Sequence, residues 1–324
     1  MKAFTKLFFL FFVILLAVFW FGKNDLGNFI SFEIKRTAIV ENSNVATENL
    51  NNLEEGESWS FAVIGDTEGI RPVTERMVKN MAKQDIDFGV HLGDLTQTAE
   101  IEDINAVLDL FDTLEIPTYY IPGNNDLVYD EVIERKTRTR YTTLVNNNLH
   151  YSFLHNNSHF IFLDNSYRRD GFIDEELSWL KSQLEDAQPI VEAGEVAITS
   201  GDTTTTSALK KRVASYDNTF LFYHRPLDVP GQQLFGDDET AASREQNKQF
   251  KDLIADYEIT RIFNGHLHTT LSYTLDSIPV TISGGGGAVP QSILGGEKAA
   301  FYHYYIVHIP ADGTTPLLEL VDFE

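Results

Sequence analysis

The sequence predicts an α/β fold, and three observations predict it. From Trp59 onward short apolar runs alternate with segments of helical periodicity. Several of those runs stop at a Gly-Asp, a Gly-Asn or a histidine, and the last third is rich in strand-like runs with little helical pattern. Such alternation is the pattern of sheets covered by helices.

In chain order, SFAVIG is a strand ending at Gly65-Asp66. Pro72 suits a first helical turn, and Val73, Met77, Val78 and Met81 supply one apolar face behind it. FGVHLGD is the next strand, ending at Asp94, and Ile101, Ile104, Leu108 and Phe111 stripe the following helix. PTYYIPGNND reads as strand then turn, and HYSFLHNNSHFIFLDN as a hairpin about Asn156-Asn157-Ser158. Leu177, Leu180 and Leu184 mark a further helix, and Asp202–Ser207 a surface loop or hairpin. TFLFYH is a strand ending at His224. Ser243 and Gln246 have the spacing of a capping box ahead of Phe250, Leu253, Ile254 and Tyr257. ITRIFNGHLH, PVTISGGGGA, FYHYYIVHI and LLELVDF complete the strands. The strands before Asp66, Asp94, Asn124, His224 and Gly265 are expected at the centre of the fold.

The chain has 324 residues and a net charge of −23, from 25 Lys+Arg against 48 Asp+Glu. A field of that sign repels polyanions and argues against nucleic-acid polymers as partners. There is no cysteine, which removes disulfides, thiol nucleophiles and thiolate metal sites. Any metal must be held by O and N atoms.

Lys2 and Lys6 precede an unbroken apolar run, Leu7–Phe21, so residues 1–22 read as a signal anchor or a cleaved signal peptide. No small-residue cleavage pattern is evident, which favours an uncleaved anchor with the remainder outside the cytoplasm; a secreted form is the second reading. Residues 23–57 are rich in Asn, Glu and Ser and form a polar linker. Residues 58–324 form the globular domain.

Chemistry concentrates at the strand ends. Asp66, Asp94, Asn124, His224, His266 and His268 are all O or N donors, and Glu68 lies two residues beyond the first. Glycine precedes Asp66, Asp94, Asn124 and His266, which lets the backbone turn sharply there. Mixed carboxylate and imidazole donors suit Mn, Fe or Zn, and a shared carboxylate can hold two divalent ions about 3.5–4 Å apart. Such a pair polarises a phosphoryl oxygen and generates a hydroxide for in-line attack. The Gly284–Gly287 run lacks the form of a nucleotide-binding loop, and Ser200-Gly201-Asp202 lacks that of a nucleophile elbow.

The series GDTE (65–68), GD (93–94), GNND (123–126), YH (223–224) and GHLH (265–268) resembles the calcineurin-like metallophosphoesterase family. The resemblance implies a four-layer α/β/β/α sandwich, a dinuclear metal centre and a phosphoester substrate. It implies that Asp66 and His268 hold one ion, that Asn124, His224 and His266 hold the other, and that Asp94 bridges them. Two positions depart from the family pattern. Glu68 replaces a histidine and either ligates through an oxygen or stands behind the ligands. Asn125 replaces the histidine that assists the leaving group, with Asp126 beside it to orient; an amide donates a hydrogen bond but is no general acid near neutral pH. Gln97 stands where the purple acid phosphatase branch carries tyrosine.

Overall fold

The computed structural model describes residues 57–200, 203–231, 240–292, 300–313 and 315–323; the apolar run and most of the polar linker lie outside them. Within the described residues no helix is long and apolar enough to cross a membrane.

One sheet has the order β15-β14-β1-β2-β3. Its parallel heart is β1 (Trp59–Ile64), β2 (Phe88–His91) and β3 (Thr118–Tyr120), flanked by antiparallel β14 (Tyr302–Ile309) and β15 (Leu317–Phe323). The other sheet has the order β12-β13-β11-β10-β7-β6. There β7 (Ser158–Phe162), β10 (Asn218–Phe222), β11 (Arg261–Asn264) and β13 (Ile278–Ser283) run parallel. Antiparallel β6 (Tyr151–His155) and β12 (Thr270–Leu275) close its edges.

Side-chain alternation gives each strand two apolar faces, and both are used. Outward residues of β1 and β14 pack against α1 (Pro72–Met81), α2 (Ile101–Asp112) and α3 (Thr139–Leu144). Outward residues of β7, β10, β11 and β13 pack against α4 (Asp174–Ala187) and α5 (Ala241–Ile254). Inward, phenylalanines join the sheets: Phe61 stacks on Phe88 at 5.2 Å and meets Phe160 and Phe220 edge-on at 5.3 and 5.4 Å. The layers are therefore helix, sheet, sheet, helix. Aromatic pairs at these distances add about 0.5–1.5 kcal/mol each beyond area burial.

Three local expectations need correction. β3, expected at the centre, is an edge strand paired only with β2, and its residues are half-buried. The stripe of α2 is Ile104, Val107 and Phe111, with Leu108 half-buried against the same core; Ile101 faces solvent in the first turn. The cap of α5 is Thr240 with Ser243, where Ser243 N–H donates to Thr240 Oγ1 at 3.1 Å and Thr240 N–H to Ser243 Oγ at 2.9 Å. Gln246 instead donates to Asp174 Oδ1 at 2.9 Å. Of the two readings of the threonine run, the hairpin is observed: β8 (Ile190–Ser200) pairs with β9 (Thr203–Arg212), and the threonines lie on β9. Two further short strands, β4 (Val128–Asp130) and β5 (Arg135–Thr137), form a hairpin directly after the GNND segment.

Glu176, buried on α4, accepts the Asp164 N–H through Oε1 at 2.6 Å. Burial, reinforced by Asp164, pushes its carboxyl well above the ordinary range. A raised folded pKa binds more protons folded than unfolded, so this contribution is complete below the ordinary value of about 4.3 and is lost as pH rises. Glu176→Gln keeps the acceptor without the charge. Its thermal midpoint relative to the wild type is expected to be higher at about pH 8 than at about pH 5; a constant difference would contradict the protonated assignment.

Candidate metal centre

The carboxyl ends of β1, β2, β3, β10 and β11 face the same side, where ligands gather in such sheets. The loops after β1 and β2 continue the parallel pairing as a backbone ladder. Asp66 N–H donates to Gly93 O at 3.0 Å, Glu68 N–H to Asp94 O at 3.0 Å and Gly69 N–H to Leu95 O at 2.7 Å. The glycine-rich loop after β13 is laid against the first of these, with Gly286 N–H on Gly65 O at 2.9 Å and Ala288 N–H on Asp66 O at 2.8 Å.

Two overlapping groups of donors result: Asp94, His224 and His266, and Asp66, Asp94 and His268, each with its ligand atoms within 4.8 Å of one another. Asp94 belongs to both. His224 Nδ1 donates to the Leu92 carbonyl at 2.7 Å, so Nε2 is the ring atom that faces the site. It lies 3.1 Å from Asn124 Oδ1 and 3.4 Å from Asp94 Oδ1. Asn124 is oriented by its own Nδ2, which donates to Asn125 Oδ1 at 3.0 Å, leaving the oxygen toward His224. An Nε2–H of protonated His224 meets the Asn124 and Asp94 oxygens, and once that proton leaves the three atoms converge as donors for a cation.

The remaining expected residues fall on either side of this cluster. His268 Nε2 lies 3.8 Å from Asp66 Oδ1 and 3.6 Å from Glu68 Oε1. Glu68 borders both donor groups, with Oε2 drawn to Arg71 at 3.5 Å. Asn125 holds Asp94 twice, by its backbone N–H to Oδ1 at 2.7 Å and by Nδ2 to Oδ2 at 2.9 Å, and Nδ2 reaches Glu68 Oε1 at 3.4 Å. Asp126 is turned away from the cluster. Its carboxylate accepts the N–H groups of Gly123 at 2.8 Å, Leu95 at 2.9 Å and Thr96 at 3.4 Å, tying the third loop to the second.

Charge is concentrated, and His224 and nearby N–H groups compensate it only in part. Burial pushes Asp66 well above the ordinary carboxylate range; Asp94 and Glu68 add to the shift and His224 opposes it. Burial opposes protonation of His224, yet Asp94 and Asp66 together hold it up at about 9. Asp94 itself is held low: burial raises it, but His224 and the Asn125 N–H outweigh burial. Desolvation, with the His224 and Arg225 charges, drives His266 well below its usual value. A divalent cation among these groups offsets the repulsion between carboxylates and suits the unprotonated His266.

The backbone bears strain at the same place. Asp66, Glu68, Asp94 and His266 all take left-handed φ values, of 58°, 47°, 52° and 69°. Non-glycine residues hold such values only where their surroundings impose them, and they gather at functional sites. Sequence reading missed His91, the residue that locks two of the loops together. Gly93 N–H donates to its Nδ1 at 3.2 Å, and Thr67 Oγ1, whose own proton goes to Leu95 O at 2.8 Å, accepts from Nε2 at 3.1 Å. Burial lowers this ring to about 3, so it stays neutral. A polar residue on an otherwise apolar strand was the available signal.

A family model described as calcineurin-like phosphoesterase matches residues 60–270, and the chain belongs to that family. Among solved structures it is similar to GAP50, the anchor in the inner membrane complex of Plasmodium, at 13% identity and a TM-score of 0.53, covering 82% of this chain and 84% of that one. It is also similar to the purple acid phosphatase PPD1 from yellow lupin (Lupinus luteus) seeds, at 15% identity and a TM-score of 0.54, covering 82% of this chain and 52% of that one. These likenesses are of fold. Nothing among curated protein sequences matches the chain.

Gly123 tests the geometry directly. A Cβ built there lies 2.8 Å from the Asp94 carboxyl carbon and closer still to its Oδ1 and backbone N. Gly123→Ala is expected to cost about 1–3 kcal/mol through overpacking and to weaken manganese binding. Denaturant unfolding and a metal titration check both; wild-type values in each would contradict the packing described.

Proposed function

We propose that this chain is a metal-dependent phosphoester hydrolase whose centre is the strand-end cluster around Asp94. The convergence of His224 Nε2, Asn124 Oδ1 and Asp94 Oδ1 carries the reading. Asp66 and His268 would hold one ion, Asn124, His224 and His266 a second, and Asp94 both, with Glu68 at the margin of the first. When bound, divalent ions supply Lewis acidity toward a phosphoryl oxygen and lower the pKa of water. Manganese, iron and zinc all suit this donor set.

The chain's own residues do the positioning. Asn125 fixes both oxygens of Asp94, so the shared carboxylate cannot rotate. Its amide can also donate to a phosphoryl oxygen but cannot protonate a leaving alkoxide. Asp126 keeps the turn that presents Asn124 and Asn125. His91 keeps the first two loops in register while remaining uncharged. The apolar run at residues 1–22 belongs to the same proposal as a tether that places the domain outside the cytoplasm. A second reading, a metal-binding interaction module without turnover, draws on Asn125 standing where a proton donor would be needed.

Elemental analysis after loading with manganese or zinc is expected to give two ions per chain, with Asp94→Asn losing most of both. Manganese-loaded protein is expected to hydrolyse an activated aryl phosphodiester, with Asp94→Ala inactive. Metal bound without hydrolysis would leave the interaction module; no metal at all would overturn both readings.

Asn125→His restores an imidazole beside Asp94. General acid catalysis contributes about 10²–10⁴-fold where a leaving group needs a proton, so alkyl esters should gain more than aryl esters. An unchanged alkyl-to-aryl rate ratio, with metal content intact, would remove Asn125 from the leaving-group side.

A further inference from the structure

Loops at the ligand-bearing ends of the strands carry exposed apolar residues, two of those loops with candidate ligands at their bases. Ile70 follows β1, and Tyr129, Val132 and Ile133 lie in the hairpin after β3. Ile173 follows β7, and Val289 follows β13. Val132 is 91% exposed, and Asp130 Oδ1 shapes this tip by accepting the N–H groups of Val132 at 2.8 Å and Ile133 at 3.2 Å.

Charged residues are interleaved with these tips in a particular way. Arg71 adjoins Ile70, Arg135 and Lys136 follow Ile133, and Arg169 precedes Ile173, while Glu131 and Glu134 flank the outermost pair. Arg71 pairs at 3.5 Å with Glu68, whose side chain is largely buried, while the pair of Arg135 with Asp170 at 2.7 Å is partly exposed, where such pairs are weak and exchange readily. Apolar tips with adjacent long cations match a bilayer boundary, where the stems lie in the apolar layer and the charges meet phosphates. The two glutamates match an ammonium. The net charge of −23 opposes an anionic leaflet, so the matching surface carries zwitterionic headgroups.

We infer that the ligand-bearing face docks on a zwitterionic phospholipid surface through these loop tips, and that the hydrolysed phosphoester is the headgroup linkage of an amphiphilic lipid. The substrate half rests on the hydrolase reading above; the docking half does not. In the reaction, water gives its hydroxyl to phosphorus and its proton to the departing ester oxygen as the P–O bond breaks. The sequence supplies a means of approach in the apolar run Leu7–Phe21. Residues 22–57, which join it to β1, span at most roughly 120 Å when extended. A tether of that reach leaves either end of the domain able to meet the bilayer, and the apolar tips select the ligand-bearing end.

The full chain, reconstituted in dioleoylphosphatidylcholine vesicles with and without bromine on the acyl chains, tests the docking. Val132→Trp places a fluorophore at the tip. Leu154→Trp places one at an exposed position on β6, toward the opposite end of the strands. Bromolipid is expected to quench the added emission of the first variant and to spare the second. Equal quenching, or none at the tip, would overturn docking whether or not the protein is an enzyme. Turnover tests the substrate class. An aryl phosphodiester with a long alkyl chain, held in the same vesicles, should react about tenfold or more faster than its methyl analogue in solution. Val132→Asp with Ile133→Asp should erase that preference, as withdrawing two apolar side chains from lipid would, while sparing the soluble ester. A wild-type enzyme equally fast on both esters would overturn the lipid substrate. Failure on both esters would overturn the hydrolase reading, and the lipid substrate with it, leaving the quenching result to stand on its own.

Discussion

Asp66, Glu68 and Asp94 stand at the ends of neighbouring strands with little water around them, and their mutual repulsion is the constraint that the surrounding structure has to meet. Carboxylates at such distances cannot all stay ionised in a low-dielectric pocket unless positive charge lies among them. The protein supplies part of it. The single backbone N–H of His266 is shared between both oxygens of Asp66 at 3.0 and 2.9 Å, and that of Asn125 meets Asp94 at 2.7 Å. His224, held up at about 9, supplies more when protonated. Yet its Nε2 is also the atom best placed to ligate, so proton and metal compete for one lone pair.

Holding the acids together takes a rigid frame, and the frame is made by sheets rather than by the site. The phenylalanines between the two sheets fix their separation, and the parallel registers fix where each strand ends. Beyond the last paired residue the ladder from Asp66 to Leu95 carries that order outward. Left-handed φ values at four of the candidate donors follow from it. Each costs of order 1–3 kcal/mol and persists because the neighbouring backbone leaves no alternative.

Much of this was legible because ligands at strand ends leave a local mark. An apolar run that stops at Gly-Asp announces both the strand and the donor, and five such marks placed Asp66, Asp94, Asn124, His224 and His266 on one face. Residues whose task depends on other segments left no such mark. Asp126 reads as part of a site, but its partners are amides some 30 positions earlier in sequence. His91 stands out only as a polar residue on an apolar strand, and the fold alone sets Thr67 against it. The family resemblance implied two sheets, but which strand joins which was invisible for the same reason, since each strand reads alike whichever sheet it joins. The α5 cap was misplaced by one turn because Thr240 and Ser243 offer the same hydroxyl chemistry as Ser243 and its successors.

The hairpin of β4 and β5 joins the two scales of the molecule. Its base is the GNND turn that presents Asn124 and Asn125, and Lys136 on β5 returns to donate to the Asn124 carbonyl at 3.2 Å. Arg138, just beyond β5, donates to Asp164 Oδ2 at 2.5 Å and to Asp170 Oδ2 at 3.3 Å, which pins the segment to the loop after β7. Arg138 is mostly buried, so its pairs are less screened than surface ones, and removing one partner would leave a charge stranded. The tip at Val132 and the ligand turn are therefore the two ends of one short ribbon, with the braces at Lys136 and Arg138 close to the turn. A substitution confined to the tip leaves those braces, and with them the presentation of Asn124 and Asn125, in place.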